Sequence, residues 1–381
     1  MFAGLPADNT TPVERWEADT MAREVSAAVP VAVVEPAPLL GTFETATLPG
    51  FDAKPFIPSL RDRFAIPPFT VLDSKAGYWQ QRRAQWLELG IEGEVGRGDT
   101  LLFKGNSQGR LNGILGQKRT AQVDGTITTE EGGKATPEMH GTSVFDPVVC
   151  ELAYRWYSPP GGLVVDPFAG GSVRGIAAAA LGRRYIGAEL RKEQVEANRA
   201  QWALIGPKLG DVPKPTWING AAQDVLPYLA NKGIQADLVF SCPPYADLEV
   251  YSDDPQDLSN MQPVQFLRAH ERIVGQAWQL LLPNRYAVWV IGEARSGRTG
   301  EQYALAPFTV KAFHKQGAQY YNDHILLTAI GSLPVRVSNQ FPRGRKAGRA
   351  HQYVYVFAKG DGMLASQACG VLTMEWGVQT G

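Results

Sequence analysis

From residue 143 onward the chain alternates, at nearly regular spacing, between short apolar runs and helical patterns. The runs "GGLVVDPFA", "RYIGAEL", "TWINGAAQD", "ADLVFSCPP" and "RYAVWVIGEA" are each followed by a helical segment, and "DPVVCELAYRWYS" precedes the first as a helix. Two further runs, "NDHILLTAIG" and "HQYVYVFAKG", close the series. Strands alternating with helices imply crossover connections, and hence a parallel sheet covered on both faces. The expectation is an α/β, doubly wound, seven-stranded, mainly parallel sheet over residues 143–360. The last two runs follow one another without a helix, which predicts an antiparallel pair at one edge.

The flanks read differently. Residues 1–55 are rich in Pro, Ala, Thr and Glu with weak periodicity, and predict an extended or partly disordered arm. Residues 56–142 form an N-terminal accessory region. Aromatic and basic residues there run into an amphipathic helix, followed over 96–142 by a polar loop insertion rich in Gly, Thr, Asn and Gln. Residues 361–381 remain as a C-terminal tail. The net charge of the 381-residue chain is −1, so a nucleic-acid partner must be met by a local patch. The three cysteines, Cys150, Cys242 and Cys369, are widely spaced and form no CxxC pair. That argues against a disulfide framework or a metal site and for a reducing cytoplasm. No basic leader with an apolar run opens the chain, and no stretch approaches the ~18 apolar residues of a membrane span. The expected protein is cytoplasmic, with neither membrane nor metal.

The loop "VVDPFAGGSVRG" joins the first strand to its helix. Its glycines permit a tight turn and let a ligand approach the backbone, and ligands of such sheets sit at the carboxyl ends of the strands. The loop lacks both the Gly-Lys-Ser/Thr ending of a phosphate-binding loop and the GxGxxG of a dinucleotide site. The second strand ends in Glu189, about 20 residues beyond the glycine pair, where an acid can accept both hydroxyls of a ribose. Asp224 follows the third strand and is placed to accept from an adenine amino group. Each acid alone also reads as an ordinary helix N-cap. Together they describe an adenosine-shaped site without a phosphate clamp, which fits S-adenosyl-L-methionine. Its candidate residues are Asp166, Phe168, Gly170, Gly171, Glu189 and Asp224.

The fourth strand runs into Cys242, Pro243, Pro244 and Tyr245. Two adjacent prolines cannot donate to a sheet ladder, so the strand must stop there and the tyrosine projects from a rigid corner. Strand alternation turns Ser241 the other way.

"DPFAGG" followed later by "CPPY" resembles the amino-methyltransferases, which methylate exocyclic amino groups of DNA bases. The likeness covers about residues 143–360, and "DPVVCELAYRWYSPPGGLVVDPFAGGS" and "HQYVYVFAKG" resemble that family's helix-then-strand block and closing strand. "RFAIPPFTVLDSKAGYWQQRRAQWLELGI" resembles the leader of DNA methylases encoded by bacteriophages of actinobacteria, which would place the chain in a host cytoplasm. The resemblance implies a class I methyltransferase, Rossmann-like fold with an N-terminal extension. It also implies S-adenosyl-L-methionine as cofactor and double-stranded DNA as partner, with the target base flipped from the duplex. In that family Asp, Asn or Ser precedes the prolines and accepts one amino N–H, the carbonyl of the first proline accepts the other, and the aromatic stacks on the base. Pro243 and Tyr245 match this pattern; Cys242 does not, because sulfur accepts hydrogen bonds weakly. The order of the motifs leans toward adenine N6 over cytosine N4. Four alternatives stay open: attack on a pyrimidine by a Cys242 thiolate, amino methylation of RNA, methylation of a protein glutamine, and an inactive DNA-binding relative.

The segment "SLPVRVSNQFPRGRKAGRAH" carries Arg336, Arg343, Arg345, Lys346 and Arg349 with no acid. It reads as a basic loop between the last two strands, suited to phosphates. Arg61, Arg63, Arg82 and Arg83 are expected to add to the field. The acidic stretch "ADLEVYSDDPQDLSNM" has no assigned role.

Overall fold

The computed structural model describes residues 59–91, 119–121, 127–129, 145–245, 251–296, 299–328, 330–331 and 333–372. The expected N-terminal arm and most of the polar insertion lie outside the described residues. In chain order the elements are α1 (Leu60–Phe64), β1 (Val71–Asp73), α2 (Gly77–Glu88), β2 (Arg119–Ala121), β3 (Ile127–Thr129), α3 (Pro147–Tyr157), β4 (Leu163–Asp166), α4 (Val173–Ala180), β5 (Arg184–Glu189), α5 (Lys192–Leu209) and β6 (Thr216–Asn219). They continue with α6 (Ala222–Asn231), β7 (Ala236–Ser241), α7 (Pro263–Leu280), β8 (Leu281–Ile291), α8 (Leu305–His314), β9 (Gln319–Leu327), α9 (Leu333–Gly344), β10 (His351–Lys359) and α10 (Gly362–Cys369). Helix α1 falls in a first unit ending at residue 68, and the elements from β1 onward fall in a second that begins at Phe69. Within the insertion, β2 and β3 pair as a small antiparallel hairpin.

The main sheet has the order β1-β9-β10-β8-β7-β4-β5-β6. β4, β5, β6, β7, β8 and β9 all run parallel, and β10 lies antiparallel between β8 and β9. Chain order reverses between β4 and β7, so their carboxyl ends flank the topological switch where such sheets bind ligands. The strands read as continuous apolar runs because both faces are covered; every residue of β4 is buried. Helices α6, α7 and α8 pack side by side on one face, and α3, α4 and α5 cover the other, joined by α2 and α10.

Two sequence expectations need correction. The antiparallel pair is not the edge: β1 adds to β9 in parallel, with Val71 opposite Ile325, so the sheet has an eighth strand contributed from before residue 143. Nor are β9 and β10 joined by a loop alone. Residues 333–344 form helix α9 with no buried residue, and its Leu333 and Val337 lie close to Gly348. Pro334 falls in the first turn, where proline is tolerated, and Pro342 in the last. The prolines hid a helix whose apolar positions face the chain that follows it.

Helix α2 docks on α3 through polar anchors. Asp146 caps α3 by accepting from the Val148 amide at 2.9 Å, and its other oxygen accepts from Trp79 Nε1 at 2.9 Å. Glu151, fully buried, accepts from Arg155 Nε at 2.8 Å, Trp86 Nε1 at 2.8 Å and the Arg82 guanidinium. Burial alone would raise the Glu151 carboxyl; the bond and charge of Arg82, with Arg155 beside it, hold it below the ordinary carboxylate range. Arg82 is therefore engaged inside the fold, and the sequence reading of it as part of a basic field is corrected. The tail, too, begins as structure: α10 is capped by Asp361 and buries Ala365 and Cys369.

His270, buried on α7, shows how the second face is sealed. Its Nε2 lies 3.1 Å from Thr309 Oγ1, its ring stacks on Phe266 and meets Trp289 edge-on, and its Nδ1 has no partner. Burial pushes the imidazole down from 6.5 to about 4. The unfolded chain takes up this proton below pH 6.5 while the folded chain resists until about 4. Stability should thus fall as pH drops through that window, by up to about 3 kcal/mol from this residue. Urea midpoints measured from pH 7.5 to 4 should show the loss, and His270→Gln should flatten it. An unchanged slope in that variant would relocate the titrating group.

Candidate active site

At the switch point one carboxylate gathers both sides of the site. Asp166 ends β4 with no exposed surface. Its Oδ1 accepts from the Phe168 amide at 3.0 Å and from Ser241 Oγ at 2.6 Å; its Oδ2 accepts from Tyr185 Oη at 2.8 Å and lies 2.8 Å from Arg174 Nε. The glycine loop and the last residue of β7 are thereby tied to the same side chain. These partners occupy Asp166, so it serves a ligand through the loop it holds. Ser241 is turned inward, as alternation requires.

Arg174, which the sequence did not single out, is the loop's second support. It is buried on α4 and donates to the carbonyls of Phe168 and Ala169, and its guanidinium lies 4.7 Å from the Phe145 ring centre. Burial works against its charge, but Asp166, together with Tyr185, Cys242 and Cys150, more than offsets it and raises its pKa. Its signal was an arginine two residues past Gly-Gly-Ser on an otherwise apolar helix. Gly170 has a φ of +54°, a conformation L side chains rarely adopt, and its nearest side neighbour is the Arg174 guanidinium. Its amide donates to Glu189 Oε2 at 2.9 Å, and its carbonyl accepts from Asn198 Nδ2 at 2.8 Å. Gly171 is half-buried beside it, and the Phe168 ring sits edge-on to Trp289 at 6.2 Å.

Glu189 closes the loop from β5. Its Oε1 accepts from the Arg191 amide at 2.9 Å. Burial pushes its carboxyl above the ordinary range, against these backbone bonds and the charges of Arg191 and Arg174. Asp224 stands apart. It is exposed in the first turn of α6 and accepts from Gln256 Nε2 at 2.9 Å. That bond anchors the acidic stretch, whose centre is the buried Asp257. Asp257 accepts from the amides of Ser252 and Ser259 and from both hydroxyls. Part of the acid there is thus a structural knot in the segment between β7 and α7.

In the corner, Pro243 is buried, while Cys242, Pro244 and Tyr245 are half-exposed. Cys242 Sγ lies 3.2 Å from Tyr245 Oη. The Tyr245 ring rests on Gly292, just beyond β8, where a Cβ would come within 2.8 Å of it. The three cysteines are free. The basic residues lie on the same edge of the sheet, because β9 ends at Leu327 and β10 begins opposite it at His351. Arg336, Arg343 and Arg345 are exposed, the Lys346 side chain lies over Gly300, and Arg349 Nη1 is 3.0 Å from His351 Nε2. Among the described residues no cluster of three potential metal ligands occurs, and no helix is long and apolar enough to cross a membrane.

A family profile described as DNA methylase, of the N6/N4 type, matches residues 149–200, which carry most of α3, β4, the glycine loop, α4, β5 and the start of α5. No curated protein matches the chain. Among solved structures, TrmN from Thermus thermophilus aligns at 15% identity over 56% of this chain and 49% of its own, with a TM-score of 0.38. A SAM-dependent methyltransferase from Agrobacterium tumefaciens aligns at 13% identity over 61% and 74%, TM-score 0.39. A putative SAM-dependent methyltransferase from Streptococcus mutans aligns at 13% over 61% and 58%, also 0.39. The chain thus spans about half the length of the first of these. The sheet order, with its one reversed strand, is the class I methyltransferase fold.

The shared carboxylate makes a direct prediction. Asp166→Asn leaves the buried Arg174 without its counter-charge, and breaking a buried pair on one side costs about 3–5 kcal/mol. Urea denaturation should show a loss of that size; a loss below about 1 kcal/mol would remove Asp166 from its place as the organising group.

Proposed function

We propose that this chain is an S-adenosyl-L-methionine-dependent methyltransferase acting on the exocyclic amino group of a flipped base in double-stranded DNA, adenine N6 before cytosine N4. The observation that carries the reading is the Asp166 hub, which fixes an open glycine loop and a Cys-Pro-Pro-Tyr corner to one side chain. The cofactor fits the loop. At Gly170 a Cβ would point toward the Arg174 guanidinium, and the Glu189 carboxylate sits at the next strand end, with one lone pair on each oxygen still open for a ribose hydroxyl. Gly170, Gly171 and Phe168 would line the cofactor, Glu189 would hold the ribose, and Asp224 would accept from the adenine edge. When bound, the cofactor supplies an electrophilic methyl group on a sulfonium.

An exocyclic amino nitrogen is a poor nucleophile because its lone pair is delocalised into the ring. The Pro243 carbonyl, aimed by a residue with fixed φ, accepts one of its N–H bonds and favours a geometry that localises the lone pair. Tyr245, held against Gly292 and close to Cys242 Sγ, offers its ring to the base. Cys242 is a packing and orienting element in this reading, since attack by an amino nitrogen needs no covalent enzyme intermediate. The exposed cations Arg336, Arg343 and Arg345, with Lys346 and Arg349, are assigned to backbone phosphates. The short profile match to DNA methylases supports DNA over RNA or protein.

Nucleoside mass spectrometry of DNA from cells expressing the chain tests this reading. It should show N6-methyladenine or N4-methylcytosine above the vector control. Methyl groups found only in RNA or protein would overturn the DNA assignment, and 5-methylcytosine would establish the thiolate route through Cys242.

A further inference from the structure

Strand β8 ends at Ile291, beside the end of β7, and Gly292, which follows it, bears on the corner. Gly292 makes room for the Tyr245 ring. Glu293, the next residue, is fixed through one oxygen only: Oε1 accepts from the Ala306 amide at 2.6 Å, in the first turn of α8. Its Oε2 is buried and has no hydrogen-bond partner. A buried carboxylate oxygen without a donor is destabilising, and such a group in a folded protein has a reason: a water, an ion, stored strain, a ligand or a catalytic use.

The corner itself falls short of what amino methylation asks. The Pro243 carbonyl is one strong acceptor. The residue before it, where a second would stand, is Cys242, whose sulfur accepts weakly and lies 3.2 Å from the Tyr245 hydroxyl. Ser241 donates to Asp166 at 2.6 Å and faces inward. The open acceptor at this edge of the sheet comes from the neighbouring strand end instead.

We propose that Glu293 Oε2 is the second acceptor for the target amino group and the base that removes its proton; the inference rests on the amino-methylation reading above. As the nitrogen lone pair closes a bond to the methyl carbon, the electron pair of the breaking C–S bond returns to sulfur, leaving a thioether. The nitrogen gains a positive charge, and one of its N–H protons passes to Oε2, which then releases it to solvent. No other co-reactant is required. A carboxylate held at one oxygen and unpaired at the other is suited to this, because the capping bond fixes its orientation while the second oxygen stays available.

Glu293→Gln separates this role from helix capping, because it keeps the Oε1 acceptor and replaces only the open oxygen with an amide nitrogen. With unmethylated plasmid DNA and tritiated cofactor, kcat should fall by about 100-fold or more, the range for losing a general base. The melting temperature and the calorimetric affinity for S-adenosylmethionine should stay at wild-type values. Added formate should restore part of the rate in Glu293→Ala, which a purely structural role would not allow. A folded Glu293→Gln protein with kcat within about threefold of wild type, or a folded Glu293→Ala protein that formate does not rescue, overturns the assignment while leaving the amino-methylation reading intact. Wild-type protein that transfers no methyl group to DNA sinks that reading, and the Glu293 inference with it.

Discussion

Everything at the carboxyl edge of this sheet depends on a buried carboxylate being fully paired. Asp166 sits where β4 and β7 run side by side and their crossovers diverge to opposite faces. A lone anion there would be expelled or neutralised. Here the charge is met by Arg174, and the remaining lone pairs by a backbone amide, a serine and a tyrosine. Because each partner belongs to a different segment, satisfying one charge also sets the positions of the glycine loop, α4, β5 and the corner. Arg174 repeats the logic from its own side, turning the Phe168 and Ala169 carbonyls toward itself while the Gly170 amide faces Glu189.

The same device recurs farther out. Glu151 gathers Arg82, Trp86 and Arg155 and so joins α2 to α3, and Asp257 gathers two serines of its own segment between β7 and α7. Such ion networks add little net stability over apolar packing but strongly penalise wrong arrangements. That suits a site whose parts come from distant stretches of sequence and must meet within tenths of an ångström.

How much of this the sequence disclosed follows from what local pattern can encode. The seven core strands were legible because each buries a run of Val, Ile, Leu or Ala and each helix shows its own period. The glycine loop and the proline corner were legible because Gly170 admits a left-handed turn while Pro243 and Pro244 fix φ, whatever surrounds them. Strand β1 escaped notice, since three residues after two prolines carry no alternation to read. Helix α9 escaped because Pro334 and Pro342 look like breaks and no face of it is buried. Nothing local marks Asp166 as a hub, for Ser241 lies 75 residues away along the chain, and nothing marks Glu293, whose meaning comes from an amide at Ala306 and a ring on Gly292.

The loop and the corner are one mechanical unit, coupled through Asp166. Hydrogen–deuterium exchange of Ser241→Ala against wild type tests this coupling most directly, since the substitution removes only the corner's bond to the hub. Exchange should be faster both in a peptide covering the corner and in one covering Phe168 to Gly171, with the edge strand β6 unaffected. Faster exchange at the corner alone, with the glycine loop as protected as in wild type, would contradict it.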